Sequence, residues 1–510
     1  MRRATYTAVS VVVTALALLP AWGCVFSRGN DCTGNLECGP SSGTGGDGGV
    51  PPACIPNKNV GAVANTCGVF VSTAGNDANV GTKEKPLKTI KAALTKGTAI
   101  YACAGAMPFT EAVVLDKAAT IFGAVDCASW VYDASKKTQL TATADAVPLT
   151  LASTASGTEV HDFAISAVDA KTAGMSSIAV LDEHANVTLE KVDVVAGKGA
   201  DGAAGMKQAQ VATPVGAQGG DGADNACGMT SNGGGNPGQN ACVYLANMMD
   251  VSGGLGGGGT NSTSGGAGSN GNPMSATAGT GGKPQDASGS CDPGVKGADG
   301  IAGMSGTGAT GLGDIDASGY RGPLATKGTT GGSPAQGGGG GGGANKCAGG
   351  GSGPGGGGGG AGGCGGAPGN AGQSAGSSIG VLSLGAKLTL NSVTITTHGG
   401  GAGGVGGDGQ LGGNGGSAGH APMNSAACDG GKGGQGGAGG PGGGGAGGHS
   451  VAIAIKGGAL PDLSTTTIAN GKGAEGGSGG DMTMQARGNT GLGCKTLDFA
   501  DPMSPSACAM

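Results

Sequence analysis

Enzymes that cut polysaccharide need clustered carboxylates, a basic residue and aromatic platforms for the sugar rings, and glycoside hydrolysis needs a paired acid and base at a defined separation. The side chains that could meet this need are Asp162, Asp169, Asp182, Glu183, Glu190 and Asp193, with His161 beside Asp162. Asp182 and Glu183 read as solvated turn residues after Leu181, and His161 with Asp162 reads as a surface pair. Beyond the first 23 residues Arg is scarce (Arg28, Arg321, Arg487), and Trp130 is the one Trp there. Histidines 161, 184, 398, 420 and 449 are scattered, none in a motif with Ser or Cys. These residues lead us to expect no catalytic group and no enzyme.

Metal chemistry has an equally thin basis. Calcium-binding nonapeptides of the GGxGxDxUx type need a large apolar residue at U. Gly403–Asp408 and Gly219–Asp224 match the first six positions, but Gln410 and Ala226 stand at U. Acidic residues are too sparse to ring a hard cation, and no close Cys pair suggests zinc. No metal and no cofactor is expected. A net charge of −6 with no basic stripe excludes a nucleic-acid partner.

The cysteines point to disulfides. There are 15, an odd number. The chain opens with Met1-Arg2-Arg3, an apolar run from about Ala8 to Leu19, and Pro20-Ala21-Trp22-Gly23-Cys24, in the order of a secretory signal. The apolar run is short of the roughly 20 residues a membrane span requires. Gly23-Cys24 resembles the end of a bacterial lipoprotein signal, which implies lipid on Cys24; cleavage after Gly23 without lipidation is the alternative. Val25 rather than Asp after it points to the outer membrane, cell surface or exterior. Removing a lipidated Cys24 leaves an even number for bridges in an oxidising compartment. Cys103 and Cys127, about one coil apart, are expected to pair. Within the glycine-rich stretches the expected pairs are Cys227 with Cys242 and Cys347 with Cys364.

The elements that would carry these groups are short strands. Residues 24–66 read as a Cys-containing flexible tether, with order from 67. Leu87, Ile90 and Leu94 fall on one face of a short helix between Pro86 and Gly97. Close-spaced strands follow (Ala99–Cys103, Glu111–Leu115, Ala119–Gly123). Ser177–Gly202, Ser378–Gly403 and Ser450–Gly476 are copies of one unit: Ser, an apolar strand, a turn, a Thr-bearing strand, a Val or Ile, then glycine. Residues 159–166 form an earlier relative. A unit of two or three strands cannot bury its apolar face alone, and stacking at about 4.8 Å buries it, as in a parallel β-helix. The stack would bury Ile178, Val180, Val187, Leu189, Val192 and Val194 against Ile379, Val381, Leu388, Leu390, Val393 and Ile395.

The runs Val69–Leu94 and Ile100–Asp126 resemble the opening of pectin-lyase-like right-handed β-helix proteins, which implies an all-β, right-handed parallel β-helix whose short helix caps the first coil. The whole chain resembles secreted glycine-rich PGRS-like lipoproteins of Gram-negative bacteria through Cys67–Ser72, Tyr101–Gly105 and Gly123–Trp130, with Gly123-Ala124-Val125-Asp126 departing slightly from their pattern. That resemblance implies architecture and location, not chemistry. The organisation expected is a signal peptide (1–23), the tether (24–66), cap and first coils (67–196), a glycine-rich insertion (197–376), a coil (377–398), a second insertion (399–449), a coil (450–470) and a glycine-rich C-terminal tail (471–510) with Cys494 and Cys508.

Glycine accounts for 122 of the 510 residues. From Gly430 to Pro441 it recurs with period three, the repeat of a polyproline-II helix. Glycine at two of three positions would let neighbouring chains approach on two faces and hydrogen-bond; a flexible linker is the equal alternative. The expected role is a non-enzymatic, structural or adhesive surface lipoprotein. The runner-up is a polysaccharide-degrading or carbohydrate-binding protein of the same fold, with cell-surface or matrix polysaccharide as partner. An aligned row of acidic and aromatic side chains on one face would separate the two.

Overall fold

The chain alternates short runs of β-branched and aliphatic residues with turns, and most of those runs pair side by side in the same direction. The computed structural model describes residues 50–59, 61–208, 216–222, 232–328, 331–385, 387–482, 486–500 and 508–509. Cys24 and Cys227, and the expected signal segment, lie outside the described residues. The protein is all-β with mostly parallel sheets.

Sheet 1 holds Val69–Val71, Ala99–Cys103, Thr120–Val125, Thr158–His161, Val187–Glu190 and Leu388–Asn391 in that spatial order. Sheet 2 runs from Val113–Leu115 through Leu149–Leu151, Ser177–Asp182, Ser378–Ser383 and Ser450–Ile455 to Gly493–Asp498, which pairs antiparallel with Cys508–Ala509. Sheet 3 holds Phe109–Thr110, Thr138–Thr141, Phe163–Ala167, Asp193–Ala196, Thr394–Thr397 and Thr467–Ala469. The chain visits sheets 1, 3 and 2 in turn. Each return pairs parallel with the previous visit, as in Ser177↔Ser378↔Ser450 and Leu189↔Leu390.

The copies read in the sequence are therefore stacked in register. Every residue expected in the stack is buried, with Val180, Leu189, Val192, Val194, Ile379, Val381 and Ile395 fully so. The three copied strands of sheet 2 are buried on both faces. Ile178, Leu181, Ile379, Leu382, Val451 and Leu497 pack outward against Ile315 and Tyr320 of the hairpin Asp314–Asp316/Gly319–Arg321. This explains why Ser177–Asp182, Ser378–Ser383 and Ser450–Ile455 lack the polar alternation of a half-exposed strand.

All the glycine-rich insertions leave at one corner, after sheet 3, and re-enter at sheet 2. The Ser that opens each copy ties this corner. Ser177 Oγ donates to the Val168 carbonyl (2.9 Å), Ser378 Oγ to that of Ala196 (3.4 Å), and Ser450 Oγ bonds Thr397 Oγ1 (2.9 Å).

Several expectations need correction. The helix is only Ile90–Leu94: Asp77 takes the Lys88 and Thr89 amides, and Leu87 bridges to Val71 instead. Glu111 accepts from the Ile90 and Lys91 amides, satisfying the helix start from outside. Residues 50–66 are not a tether. Cys54 is bonded to Cys67, the Tyr101 hydroxyl donates to the Cys54 carbonyl (2.7 Å), and Val63 is buried under Trp130. The described residues of 471–510 are not a tail, since Gly493–Asp498 is a strand of sheet 2 and Cys494 is bridged to Cys508.

Cys103 is bonded to Cys127. Cys242 pairs with Cys364, not Cys227, so Cys364 is not the partner of Cys347, and Cys291 pairs with Cys428 across the two insertions. Cys347 is disulfide-bonded as well. The expected local pairing fails because segments remote in sequence lie side by side. These bridges belong to an oxidising compartment. No helix among the described residues is long and apolar enough to cross a membrane.

The described residues of the insertions are joined by backbone hydrogen bonds between segments. A polyproline-II segment makes no hydrogen bonds to itself, so every amide must find a neighbour. Three consecutive glycines show the result. Gly358 donates to Gly220 and accepts from Gly419; Gly359 donates to Gly254 and accepts from Gly238; Gly360 donates to Gly431 and accepts from Gly338, all at 2.8–3.0 Å. The segment 353–377 thus has a different neighbour along each donor row and each acceptor row. A Cβ on Gly358, Gly359 or Gly360 would lie 2.0–2.2 Å from a backbone oxygen. Unbroken glycine runs mark segments enclosed on every side, and period-three glycine marks segments with one open side.

Candidate functional site

Three successive coils turn from sheet 1 to sheet 3 through a residue in the left-handed region: Asp162 (φ 59°), Lys191 (φ 53°) and Ser392 (φ 54°). None is glycine, so each corner costs about 1 kcal/mol or more. The stack holds the corners in place and brings the preceding residues, His161, Glu190 and Asn391, into one outward row on sheet 1. Two residues earlier on the same face stand Glu159, Thr188 and Thr389.

The row continues an aromatic ladder. Phe70, Tyr101, Phe122 and His161 stack with ring centroids 5.1, 5.3 and 4.9 Å apart. Trp130 covers its far end, edge-on to Phe70 at 4.9 Å. Burial pushes the Tyr101 hydroxyl up to about 12. The ladder stops at His161, and the polar residues begin there.

His161 Nε2 lies 3.1 Å from Glu159 Oε2, and its Nδ1 lies 3.6 Å from Glu190 Oε2. The imidazole is 11% exposed, against 50% and 34% for the two carboxylates. Behind it the Tyr132 hydroxyl donates to Asp162 Oδ1 (2.9 Å). Burial raises the Asp162 carboxyl and the Tyr132 hydroxyl holds it back, while burial and the Asp162 carboxylate both raise the Tyr132 hydroxyl. His161 and Asp162 are therefore buried, not the surface pair expected. Beside the row, a depression of about 200 Å³ is lined by Glu159, Asn186, Thr188, Lys387 and Thr389. A second, of about 630 Å³, continues it along Lys387–Asn391 to the loop Gly458–Thr465.

Of the acidic residues singled out in the sequence, the structure brings Asp162 and Glu190 together and leaves the others apart. Asp193 pairs with Lys137 at the surface (2.6 Å), and Asp169 accepts the Lys198 amide. Asp182 is fully buried rather than solvated. It ends a sheet 2 strand, accepts the Ala185 amide (2.9 Å) and the Ser383 hydroxyl (3.0 Å), and burial pushes its carboxyl up to about 6. Sequence reasoning missed Glu159. Its signal was the spacing of two from His161, which sets both on one face of a strand. In the half-match that ends at Asp408, that residue accepts the Asp481 amide and pairs with Lys207, tying glycine-rich segments together.

The His161 imidazole is within polar contact of both the Glu159 and the Glu190 carboxylate. Among the described residues no group of His, Cys, Asp and Glu has the arrangement of a metal site. No family model, curated protein or solved structure matches this chain. The parallel sheets are compatible with a β-helix; neither the pectin-lyase-like nor the PGRS-like resemblance has a match behind it.

Proposed function

We propose that the chain is a non-enzymatic surface protein with a structural or adhesive role, held at the outer membrane by lipid on Cys24, and that its three sheets wind as a right-handed parallel β-helix. The observation that carries this reading is the hydrogen-bonded glycine bundle, stapled by Cys242–Cys364 and Cys291–Cys428. It is a large ordered body that uses few side chains, which suits a stiff projecting part. Right-handed winding is supported by the rule that parallel crossovers take this hand in about 98% of cases. Palmitate labelling with fractionation tests the tether. The wild-type chain should carry label in the outer membrane and Cys24→Ala should lose both label and location; equal label in the two would refute it.

A second reading is carbohydrate binding on the outward face of sheet 1. It is favoured by the row of Glu159, His161, Glu190 and Asn391 beside Thr188 and Thr389, an aligned set of hydroxyl, amide and carboxylate groups over open depressions. Glycan-array binding that Glu159→Ala or Glu190→Ala weakens about tenfold or more would support it. Binding unchanged by both would oppose it.

A further inference from the structure

Sheet 1 ends one coil before its neighbours. Its last strand is Leu388–Asn391, while sheets 3 and 2 continue to Thr467–Ala469 and Gly493–Asp498. The next coil should have laid a strand along Leu388–Asn391 and does not. Ser383 pairs with Ile455 and Thr394 with Thr467, so this coil carries one residue more than the coil beneath it. This stretch contains Leu460-Pro461-Asp462, and proline has no amide to give to a ladder. The loop stands off, and the depression of about 630 Å³ separates it from the strand.

The exposed edge carries its own hydrogen-bonding groups. The Lys387 and Asn391 carbonyls accept from Val187 and Lys191, so the alternate residues Leu388 and Leu390 turn their amides and carbonyls toward the slot. The Leu390 carbonyl accepts the Thr465 hydroxyl (3.1 Å). The Leu388 amide and carbonyl have no partner among the described residues. An unpaired strand edge walled by a loop takes one shape of ligand well, an extended backbone. Every pairing within sheet 1 is parallel, and continuity sets the direction of an added strand. Lys387 stands exposed at the N-terminal end of the edge, and Asp462, which accepts from the Ser464 amide and hydroxyl, lines the same depression from the loop.

We propose that the edge of Leu388–Asn391 is a docking slot for an extended segment of another polypeptide. The segment adds as a parallel strand, with an acidic side chain over Lys387 and a basic one toward Asp462. The probe is a capped Glu-Leu-Thr-Leu-Lys peptide, titrated by fluorescence anisotropy against the full chain. It should bind with a Kd well below about 1 mM. N-methylation of the alternate amides facing the strand should abolish binding, and methylation of the other set should not. Ala459→Trp fills the slot from an exposed loop position; it should weaken binding at least about tenfold with thermal unfolding unchanged. Lys387→Glu should weaken it also, with recovery when the peptide begins with Lys. Equal binding by the two methylated peptides, or full binding to Ala459→Trp, overturns the proposal. So does an oligosaccharide that occupies the slot where no peptide binds.

Discussion

At the scale of the residue, the stack dictates what each position tolerates. Asp182 is a carboxyl buried at the end of an interior strand of sheet 2, pushed from an ordinary 3.8 to about 6 by burial. A carboxyl raised on folding stabilises the fold when protonated, and that stabilisation is lost as pH rises through the window from about 4 to 6. Asp182→Asn keeps an acceptor for the Ala185 amide and a donor for Ser383. It should flatten this pH dependence and leave the protein more stable than wild type at pH 8, by up to about 3 kcal/mol. Denaturant midpoints at pH 4 and pH 8 check it; an Asn variant less stable at both would show that the carboxylate is not under strain. Glycine positions divide in the same way. A Cβ on Gly359 meets the Gly338 carbonyl oxygen at 2.0 Å, whereas one on Gly349 meets nothing within 4 Å. Gly359→Ala should cost about 1–3 kcal/mol or more, and Gly349→Ala less than about 0.5 kcal/mol. Equal effects would mean that the bundle is not close-packed.

At the scale of the element, period decides place. The residues at every third position from Lys432 run Lys432, Gln435, Ala438, Pro441, Gly444. Lys432 and Gln435 are exposed and Pro441 and Gly444 are buried. The side chains shrink as the segment passes under its neighbours: the Gly444 amide donates to Ala486 (2.8 Å), and a Cβ there would meet the Gly477 oxygen at 1.9 Å. The strands obey a period of two, and Leu189 is one of the inward residues with no exposure. Leu189→Asp should abolish cooperative unfolding, because an unpaired buried carboxylate costs several kcal/mol. A soluble, fully cooperative Leu189→Asp protein would contradict the stacking. The period of two also made the inward rows legible in advance. The helix was legible only in part, because its first expected turn is diverted by Asp77, a residue ten or more positions away from Lys88 and Thr89.

At the scale of the whole molecule, coils and bundle are one compact unit from Val50 onward. The bridge Cys291–Cys428 joins segments 137 residues apart and Cys242–Cys364 segments 122 apart. Closing loops of this length restricts the unfolded chain by about 5 kcal/mol each. The paired substitution of Cys291 and Cys428 by Ser should lower the stability of the bundle by an amount of this order. Amide exchange should quicken across residues 279–310 and 428–440 while the stacked strands near Leu189 stay protected. Exchange unchanged in both regions would show that backbone hydrogen bonding alone holds the bundle.

Local repetition in the amino-acid sequence determined the strands, their register and the inward residues, because an apolar face with a period of two can be buried only by the next copy of itself. It also determined the corner at which the insertions leave, since glycine follows the same position in every copy. The tertiary structure decided what depends on meetings between distant segments. Which glycine segments are enclosed follows from neighbours more than a hundred residues away, as when Gly358 bonds Gly220. The bridges from Cys242 and Cys291 follow from the same packing, and so does the open edge at Leu388. The cluster of Glu159, His161 and Glu190 exists because one coil lays Glu190 directly beside His161. Sequence spacing reports what lies on one strand, and only the winding of the chain brings two strands into contact.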